Sequence, residues 1–343
     1  MKRKIEIDIT GKFPVYRQLI QNIEKLISDC EYLPGDLLPS MNELAIELDI
    51  SKETVQKAYT NLKIKGVIEA SHGKGFFVSA NTNKATKVLV LFDRLSTYKQ
   101  VVFNALFDNL GSNSEIAIRL HNQDIELFEY FIEENLKRYH FFIIAANFPL
   151  KLEIQKRVVK VLRKIPNHQL ILIDRQVQEL PGNYGAAYQD FGNDAYDGLK
   201  QGTEIFKNYL KLNILAMPGS LYSSLMLPAI KRFCIENEII HVVQNNIDID
   251  KIQKQETYLI LNSQLDKELI GLVKAAKSKG YKIGEDIGII SYNESPVNEI
   301  ILDGLTVIST DFRQMGELAA QMINDKIMKK VRCDFRLIRR STF

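Results

Sequence analysis

Apolar positions recur at three- and four-residue intervals through the first part of the chain and gather into short solid blocks after it. Tyr16, Leu19, Ile20, Ile23, Leu26 and Ile27 mark one face of a helix over about 14–29, with Pro14 at a first-turn position that tolerates proline. Pro34-Gly35-Asp36 turns the chain. Ser40-Met41-Asn42-Glu43 has the spacing of a capping box, in which Ser and Glu side chains satisfy the first free N–H groups of a helix. Leu44, Ala45 and Leu48 give that second helix about two turns. Ser51 is placed to cap a third helix, whose buried side is Val55, Ala58, Tyr59 and Leu62 and which Gly66 closes. Short apolar runs at 67–70 and 76–78 flank Ser71-His72-Gly73-Lys74-Gly75, predicting a hairpin. Two short helices joined tightly and followed by a hairpin form a winged helix-turn-helix, expected over 1–80.

The stretch 81–87 is polar and aperiodic, the composition of a linker. From 88 to 343 the pattern changes. Apolar runs at 88–92, 115–120, 141–145, 169–173, 213–217, 239–243, 257–261 and 287–291 alternate with helical periods near 99–110, 125–137, 151–164, 193–209, 222–237 and 266–279. Strand–helix alternation of this kind builds parallel sheets with helices on both faces. So many units exceed one open sheet, so the expected fold is α/β, a winged helix-turn-helix followed by a domain of two lobes. Ligands of such folds sit beyond the carboxyl ends of the strands. Those ends read Asp93-Arg94, Ala146-Asn147-Phe148, Asp174-Arg175, Pro218-Gly219-Ser220, Asn262-Ser263 and Tyr292-Asn293-Glu294. Strand-end Asp and Asn also cap helices, and that plainer role stays open for each of them.

Composition narrows the function. Charged residues make up 25% of the 343 and no apolar run approaches the ~18 residues of a membrane span, so an ordinary globular chain is expected. The amino terminus, Met1-Lys2-Arg3-Lys4, lacks the apolar core of an export signal. Cys30, Cys234 and Cys333 are odd in number and widely spaced, which suits a reducing cytoplasm. Basic and acidic residues balance at eleven each over 1–80, so the net charge of +3 lies elsewhere and any attraction to nucleic acid depends on placement. Placement is favourable: from 51 to 75 five lysines face two acids, and Ser51, Lys52, Glu53, Thr54, Gln56 and Lys57 lie on the leading end and outer surface of the third helix, where a recognition helix meets a major groove. No phosphate-binding loop, H-E-x-x-H or G-x-S-x-G motif is present. The five histidines have no ligand spacing, so no enzyme, cofactor or metal centre is expected.

The string Pro14-Val15-Tyr16-Arg17-Gln18, Leu33 to Ser40, Glu43-Leu44-Ala45, Ser51 to Val55, Ala58-Tyr59, Gly66-Val67-Ile68 and Gly73 to Val78 closely resembles the winged helix of the GntR family of bacterial transcription regulators. The resemblance implies operator DNA as a partner. Ser40, Asn42, Ser51, Lys52, Glu53, Thr54, Gln56 and Lys57 would lie at the helix-turn-helix, and His72, Gly73 and Lys74 at a wing tip reaching the minor groove. Asn42, Lys52 and Glu53 stand where the family usually has arginine, which alone forks onto guanine, so base preference does not transfer. Further on, Leu170 to Arg175, Gln189 to Asn193, Asp286 to Asn293, Leu305 to Ile308, Met315 to Ala320 and Leu337 to Ser341 resemble the sugar-responsive domain of lactose-repressor-type regulators. That implies a homodimeric cytoplasmic regulator, a repressor, with a sugar cleft lined by Asp93, Tyr98, Asn147, Arg175, Tyr222, Asn262 and Asn293. The pairing of domains resembles arabinose-responsive repressors, which implies L-arabinose or a similar sugar such as L-fucose. A sugar-binding protein whose winged helix only dimerises is the alternative.

Overall fold

The computed structural model describes residues 5, 7–8, 13–28, 31–71, 74–79, 85–111, 113–217, 220–261 and 267–343. The chain divides into two compact units, Met1–Ala85 and Thr86–Phe343.

In the first unit, α1 (Val15–Ser28), α2 (Met41–Glu47) and α3 (Lys52–Ile64) precede the antiparallel pair β1 (Ile68–Ser71) and β2 (Gly75–Val78). Both caps expected from the sequence form. The Ser40 Oγ accepts from the Glu43 N–H at 3.2 Å while Glu43 Oε2 accepts from the Ser40 N–H at 2.8 Å, and Ser51 Oγ accepts from the Thr54 N–H at 3.2 Å. Gly66 ends α3 with φ +69°, the left-handed conformation glycine adopts without strain. Leu19, Ile23, Leu44, Val55, Ala58, Tyr59 and Leu62 fill the core between the helices. Tyr59 fixes the angle of α3, because its hydroxyl donates to the Pro39 carbonyl at 2.7 Å and its ring meets Phe76 edge-on at 4.9 Å. The segment before α2 adds to the wing: Leu38 N–H bonds Phe76 O at 2.8 Å and Val78 N–H bonds Asp36 O at 2.8 Å.

The second unit begins with β3 (Thr86–Phe92), which starts inside the stretch expected as linker; residues 80–84 lie outside the described residues. It continues through α4 (Thr97–Asn109), β4 (Ser114–Leu120), α5 (Ile125–Glu133), β5 (Phe141–Ile144), α6 (Leu152–Leu162), β6 (Leu170–Asp174) and β7 (Gly185–Tyr188). After α7 (Phe191–Lys200), α8 (Thr203–Phe206), β8 (Lys211–Leu215), α9 (Leu221–Glu236), β9 (Ile240–Gln244), β10 (Glu256–Ile260), α10 (Lys267–Ser278), β11 (Ile287–Tyr292) and β12 (Thr306–Thr310), the chain returns through α11 (Phe312–Asp325), β13 (Lys330–Arg332) and β14 (Phe335–Ile338). Among the described residues these strands make two six-stranded sheets, ordered β13-β7-β6-β5-β3-β4 and β14-β12-β11-β10-β8-β9, parallel except for β14.

Each sheet is the centre of one lobe. Apolar side chains of α4 and α11 cover one face of the first sheet, and those of α5 and α6 the other. In the second lobe α7 and α9 cover one face and α10 the opposite one. The chain passes between lobes three times: after β7, after β12, and between β13 and β14. Hydrogen bonds bind the crossings together, with Cys333 N–H on Tyr188 O and Asp311 N–H on Asp334 O, both at 2.8 Å. The helix expected over 193–209 is two helices, α7 and α8, interrupted at Gly202. Among the described residues no helix is long and apolar enough to cross a membrane.

An ion pair at the crossings carries a pH prediction. Asp194, buried in the first turn of α7, accepts from Arg332 Nε at 2.7 Å, yet burial pushes its carboxyl up to about 6. An unfolded aspartate titrates near ~3.9, so between those values the folded chain keeps a proton that the unfolded chain has released. Stability therefore falls as pH rises through that window, by at most about 3 kcal/mol. Asp194→Asn is expected to flatten this fall in urea unfolding at a series of pH values. An unchanged slope would assign the pH dependence to other groups.

Candidate functional sites

The first candidate surface lies on the winged helix. Lys52, Glu53, Gln56 and Lys57 are exposed along the leading half of α3, and Thr54 is half-buried. Ser40 and Asn42 are exposed at the start of α2, and Lys74 is exposed on the wing. Two expected contacts are partly committed within the fold. The Ser51 and Thr54 hydroxyls share a hydrogen bond at 2.9 Å, and the Lys57 ammonium sits 4.3 Å from the centre of the Tyr16 ring. His72 and Gly73 lie outside the described residues. What remains among the described residues is a helix end with exposed lysine and amide groups and one exposed lysine on the wing, a pattern suited to phosphates and base edges.

The second is the cleft between the lobes, where the carboxyl ends of β3, β5, β6, β11 and β12 converge. Asp93 follows β3 and is fully buried, paired with the equally buried Lys99 of α4. Asp174 ends β6 in a left-handed conformation, φ +72°, as does Asn293 after β11, φ +70°. Such geometry is uncommon for residues with side chains, and at a ligand cleft it turns both of them out of strand register. The Asn147 amide lies 2.5 Å from Asp174 Oδ2 and 3.2 Å from both Asp93 Oδ1 and the Tyr222 hydroxyl. The Tyr98 hydroxyl is 3.3 Å from Asp174 Oδ2 and 3.2 Å from that of Tyr222. Tyr222 stands in the first turn of α9, so this cluster joins the two lobes.

Gln189, on the first crossing, makes a second junction. It donates to Asp174 Oδ1 and accepts from Tyr292 at 3.1 Å and Thr310 at 2.7 Å. Arg175 is turned toward Gln155 Oε1, at 2.7 Å. A cavity of about 370 Å³ is lined by Leu95, Ser96, Thr97 and Gln100 of the first lobe and by Tyr292, Asn293, Ser295 and Asn298 of the second.

Burial governs the electrostatics. It raises the Asp174 carboxyl above the usual carboxylate range, with Lys99 pulling it down and Asp93 pushing it up. It also holds the Tyr98, Tyr222 and Tyr292 hydroxyls well above their ordinary values, so they stay neutral donors. Buried polar atoms without a hydrogen-bond partner include Asp93 Oδ2, Asn147 Oδ1, Asn293 Oδ1, Arg175 Nη1, Ser96 Oγ and Ser223 Oγ. Buried polar groups are normally satisfied, so these atoms have hydrogen-bonding capacity that the fold itself does not use.

Five of the seven expected effector residues thus meet in or beside the cleft, Asp93, Tyr98, Asn147, Tyr222 and Asn293. Arg175 borders it, and Asn262 lies outside the described residues. Sequence reasoning missed Lys99, Gln189 and Thr310, and passed over Asp174 in favour of its neighbour. The six-residue interval between Asp93 and Lys99 was the available clue to their pairing. His140, just ahead of β5, is tied to β3: its Nδ1 accepts from the Lys87 N–H at 3.0 Å.

Comparison with known proteins places both units. Residues 15–78 match the bacterial regulatory proteins of the gntR family, and residues 259–342 match a periplasmic binding protein-like domain. The transcriptional repressor YtrA of Bacillus subtilis is 35% identical over 104 residues, 29% of this chain and 78% of that protein. A dimeric Lac repressor superposes with TM-score 0.59 at 18% identity, covering 75% of this chain and 98% of that one. A LacI-family regulator from Lactobacillus casei, solved with bound glucose, gives TM-score 0.57 at 15% identity, covering 75% of this chain and 99% of that one. The last two share the fold of the second unit. The chain therefore belongs to the gntR family of bacterial regulatory proteins, as a transcription regulator whose winged helix is followed by a periplasmic-binding-protein-like effector domain.

Proposed function

We propose that this chain is a cytoplasmic, homodimeric repressor whose operator affinity is set by a small sugar held between the lobes of its second unit. The observation that carries the reading is the convergence of Asp93, Tyr98, Asn147, Asp174 and Tyr222 between the lobes, with acceptor atoms of Asp93 and Asn147 left unpartnered. Carboxylate, amide and guanidinium groups bond sugar hydroxyls, while tyrosine rings cover apolar sugar faces. The repressor named among its relatives and the dimeric Lac repressor of shared fold support the sign of regulation and the dimer. Two recognition helices related by a twofold axis would meet half-sites about one DNA turn apart.

Sugar binding changes the relation of the lobes, and through the dimer the spacing of the recognition helices. By linkage, sugar and operator then weaken each other's binding by the same factor, typically ~1–3 kcal/mol. A thermal-shift panel of L-arabinose, L-fucose, D-xylose and D-glucose tests the ligand class, since a sugar at 100 times its Kd stabilises by about 2.7 kcal/mol. Calorimetry with and without saturating operator tests the coupling, and equal sugar affinities in the two titrations would refute it. Arg175→Ala and Asn293→Ala are each expected to weaken sugar binding tenfold or more and to leave DNA affinity without sugar within twofold of wild type. Equal damage to both activities would point to a folding defect instead.

A further inference from the structure

We propose that Tyr222 is the specificity-determining residue of the cleft: its hydroxyl takes the place of an effector hydroxyl among Asp174, Asn147 and Tyr98, and an uncharged polyhydroxylated effector must displace it. This inference rests on the effector reading above and adds to it the chemistry of the ligand.

Tyr222, in the first turn of α9, carries its hydroxyl into the polar cluster of the other lobe. It lies 3.2 Å from the Asn147 amide, 3.2 Å from the Tyr98 hydroxyl and 3.5 Å from Asp174 Oδ2. A hydroxyl there accepts from an amide and donates to a carboxylate, the pair of bonds that a sugar hydroxyl makes. Asn147 and Asp174 have little capacity for a second hydroxyl in the same place, because Asp174 already accepts from Gln189 and Asn147 already faces Asp93. A sugar entering to bond these two residues therefore competes with Tyr222. The Tyr222 ring leans on Phe191, with centroids 5.4 Å apart, and both residues belong to the second lobe. A displaced ring thus has an apolar neighbour on its own side of the cleft.

The atoms left over define what the competitor offers. Asp93 Oδ2, Asn147 Oδ1 and Asn293 Oδ1 only accept, whereas Arg175 Nη1 only donates. The Ser96 and Ser223 hydroxyls can act either way, so acceptors still outnumber obligate donors, which favours a ligand rich in O–H groups. A phosphate ester or a free carboxylate group brings acceptors and negative charge, and meets two buried carboxyl groups, Asp93 and Asp174. Of the two buried cations, Lys99 is engaged by Asp93, and Arg175, held by Gln155 through Nη2, keeps only Nη1 open. Arg94 comes within 3.9 Å of Asp93 Oδ2, but from an exposed side chain that solvent screens.

The test uses the full chain and two readouts. Spin labels at Lys156→Cys and Lys231→Cys, exposed sites on the first and second lobes, report lobe separation by pulsed electron resonance with no sugar added. Tyr222→Phe is expected to broaden and lengthen that distance distribution. In calorimetry Tyr222→Phe is expected to bind the best neutral aldose of the panel threefold or more tightly than wild type does, with D-glucose 6-phosphate at least tenfold weaker than D-glucose. An unchanged distance distribution, or a tenfold loss of sugar affinity in Tyr222→Phe, overturns the displacement while leaving the effector reading standing. Tighter binding of the phosphate overturns the uncharged ligand class. A widened distribution with no aldose bound by either protein overturns the sugar reading itself. Tyr222→Trp, which keeps an aromatic ring and removes the hydroxyl, must follow Tyr222→Phe in the distance measurement, or a packing defect explains the change.

Discussion

Gly316→Val is expected to destabilise the second unit by about 4 kcal/mol, near the upper end of what a single substitution does. Gly316 is the fifth residue of α11, where that helix packs closely against α4. A Cβ there would sit 2.3 Å from the Val102 carbonyl oxygen, 2.8 Å from the Ala105 Cβ and 2.9 Å from the Leu106 nitrogen. Two of those three atoms are backbone, so no rotamer change relieves the clash. Either α11 or α4 must retreat. Even Gly316→Ala is expected to cost about 2 kcal/mol, although alanine in an exposed helix gains ~1 kcal/mol over glycine. Because α4 carries Tyr98 and Lys99, its displacement also scatters the cleft, so sugar binding falls with stability. Urea unfolding gives the comparison. A valine variant within 1 kcal/mol of wild type would refute the close approach of the two helices.

The second large effect concerns DNA. Lys52→Ala is expected to lower operator affinity by about 1–3 kcal/mol through its place at the leading end of α3. Lys74→Ala, on the wing, is expected to weaken all sequences alike and to make the slope of log K against log salt shallower by about 1, the signature of one lost phosphate contact. Distant sites add, so the double variant should lose roughly a hundredfold at moderate salt. Gel shifts across a salt series measure both quantities. Sugar affinity is expected to stay within twofold, because neither lysine belongs to the second unit. A double variant with wild-type affinity and salt slope would favour the alternative in which the winged helix serves dimerisation.

The winged helix was legible because its information is local. Ser40 with Glu43, Ser51 with Thr54, and Gly66 each act within four residues, and the apolar face of α3 repeats at helical spacing. Eight strands of the two sheets, β3 to β6 and β8 to β11, were legible as apolar runs, whereas β12 and β14 entered only through the family resemblance. β7, Gly-Ala-Ala-Tyr, and β13, Lys-Val-Arg, were not, because so few residues carry no alternation and their place is set by neighbours far along the chain. α11 was seen only as part of a family resemblance. The cleft was half legible. Strand ends advertised Asp93, Asn147, Asp174 and Asn293, but the role of Lys99 depends on α4 turning its third residue inward, and that of Gln189 on three crossings meeting. Neither is visible in periodicity.

The order of strands bears on how the polypeptide is made. β13 completes the edge of the first sheet, yet its residues pair with residues of β7 that lie 144 positions earlier in the chain, Lys330 with Ala186. While a ribosome is still producing the second lobe, the first stands with that edge bare, and bare edges recruit other strands. The amino-terminal helices can fold as soon as they emerge, whereas the rest waits for nearly all of its sequence. A nascent chain therefore carries a formed winged helix well before the edge of its first lobe is closed.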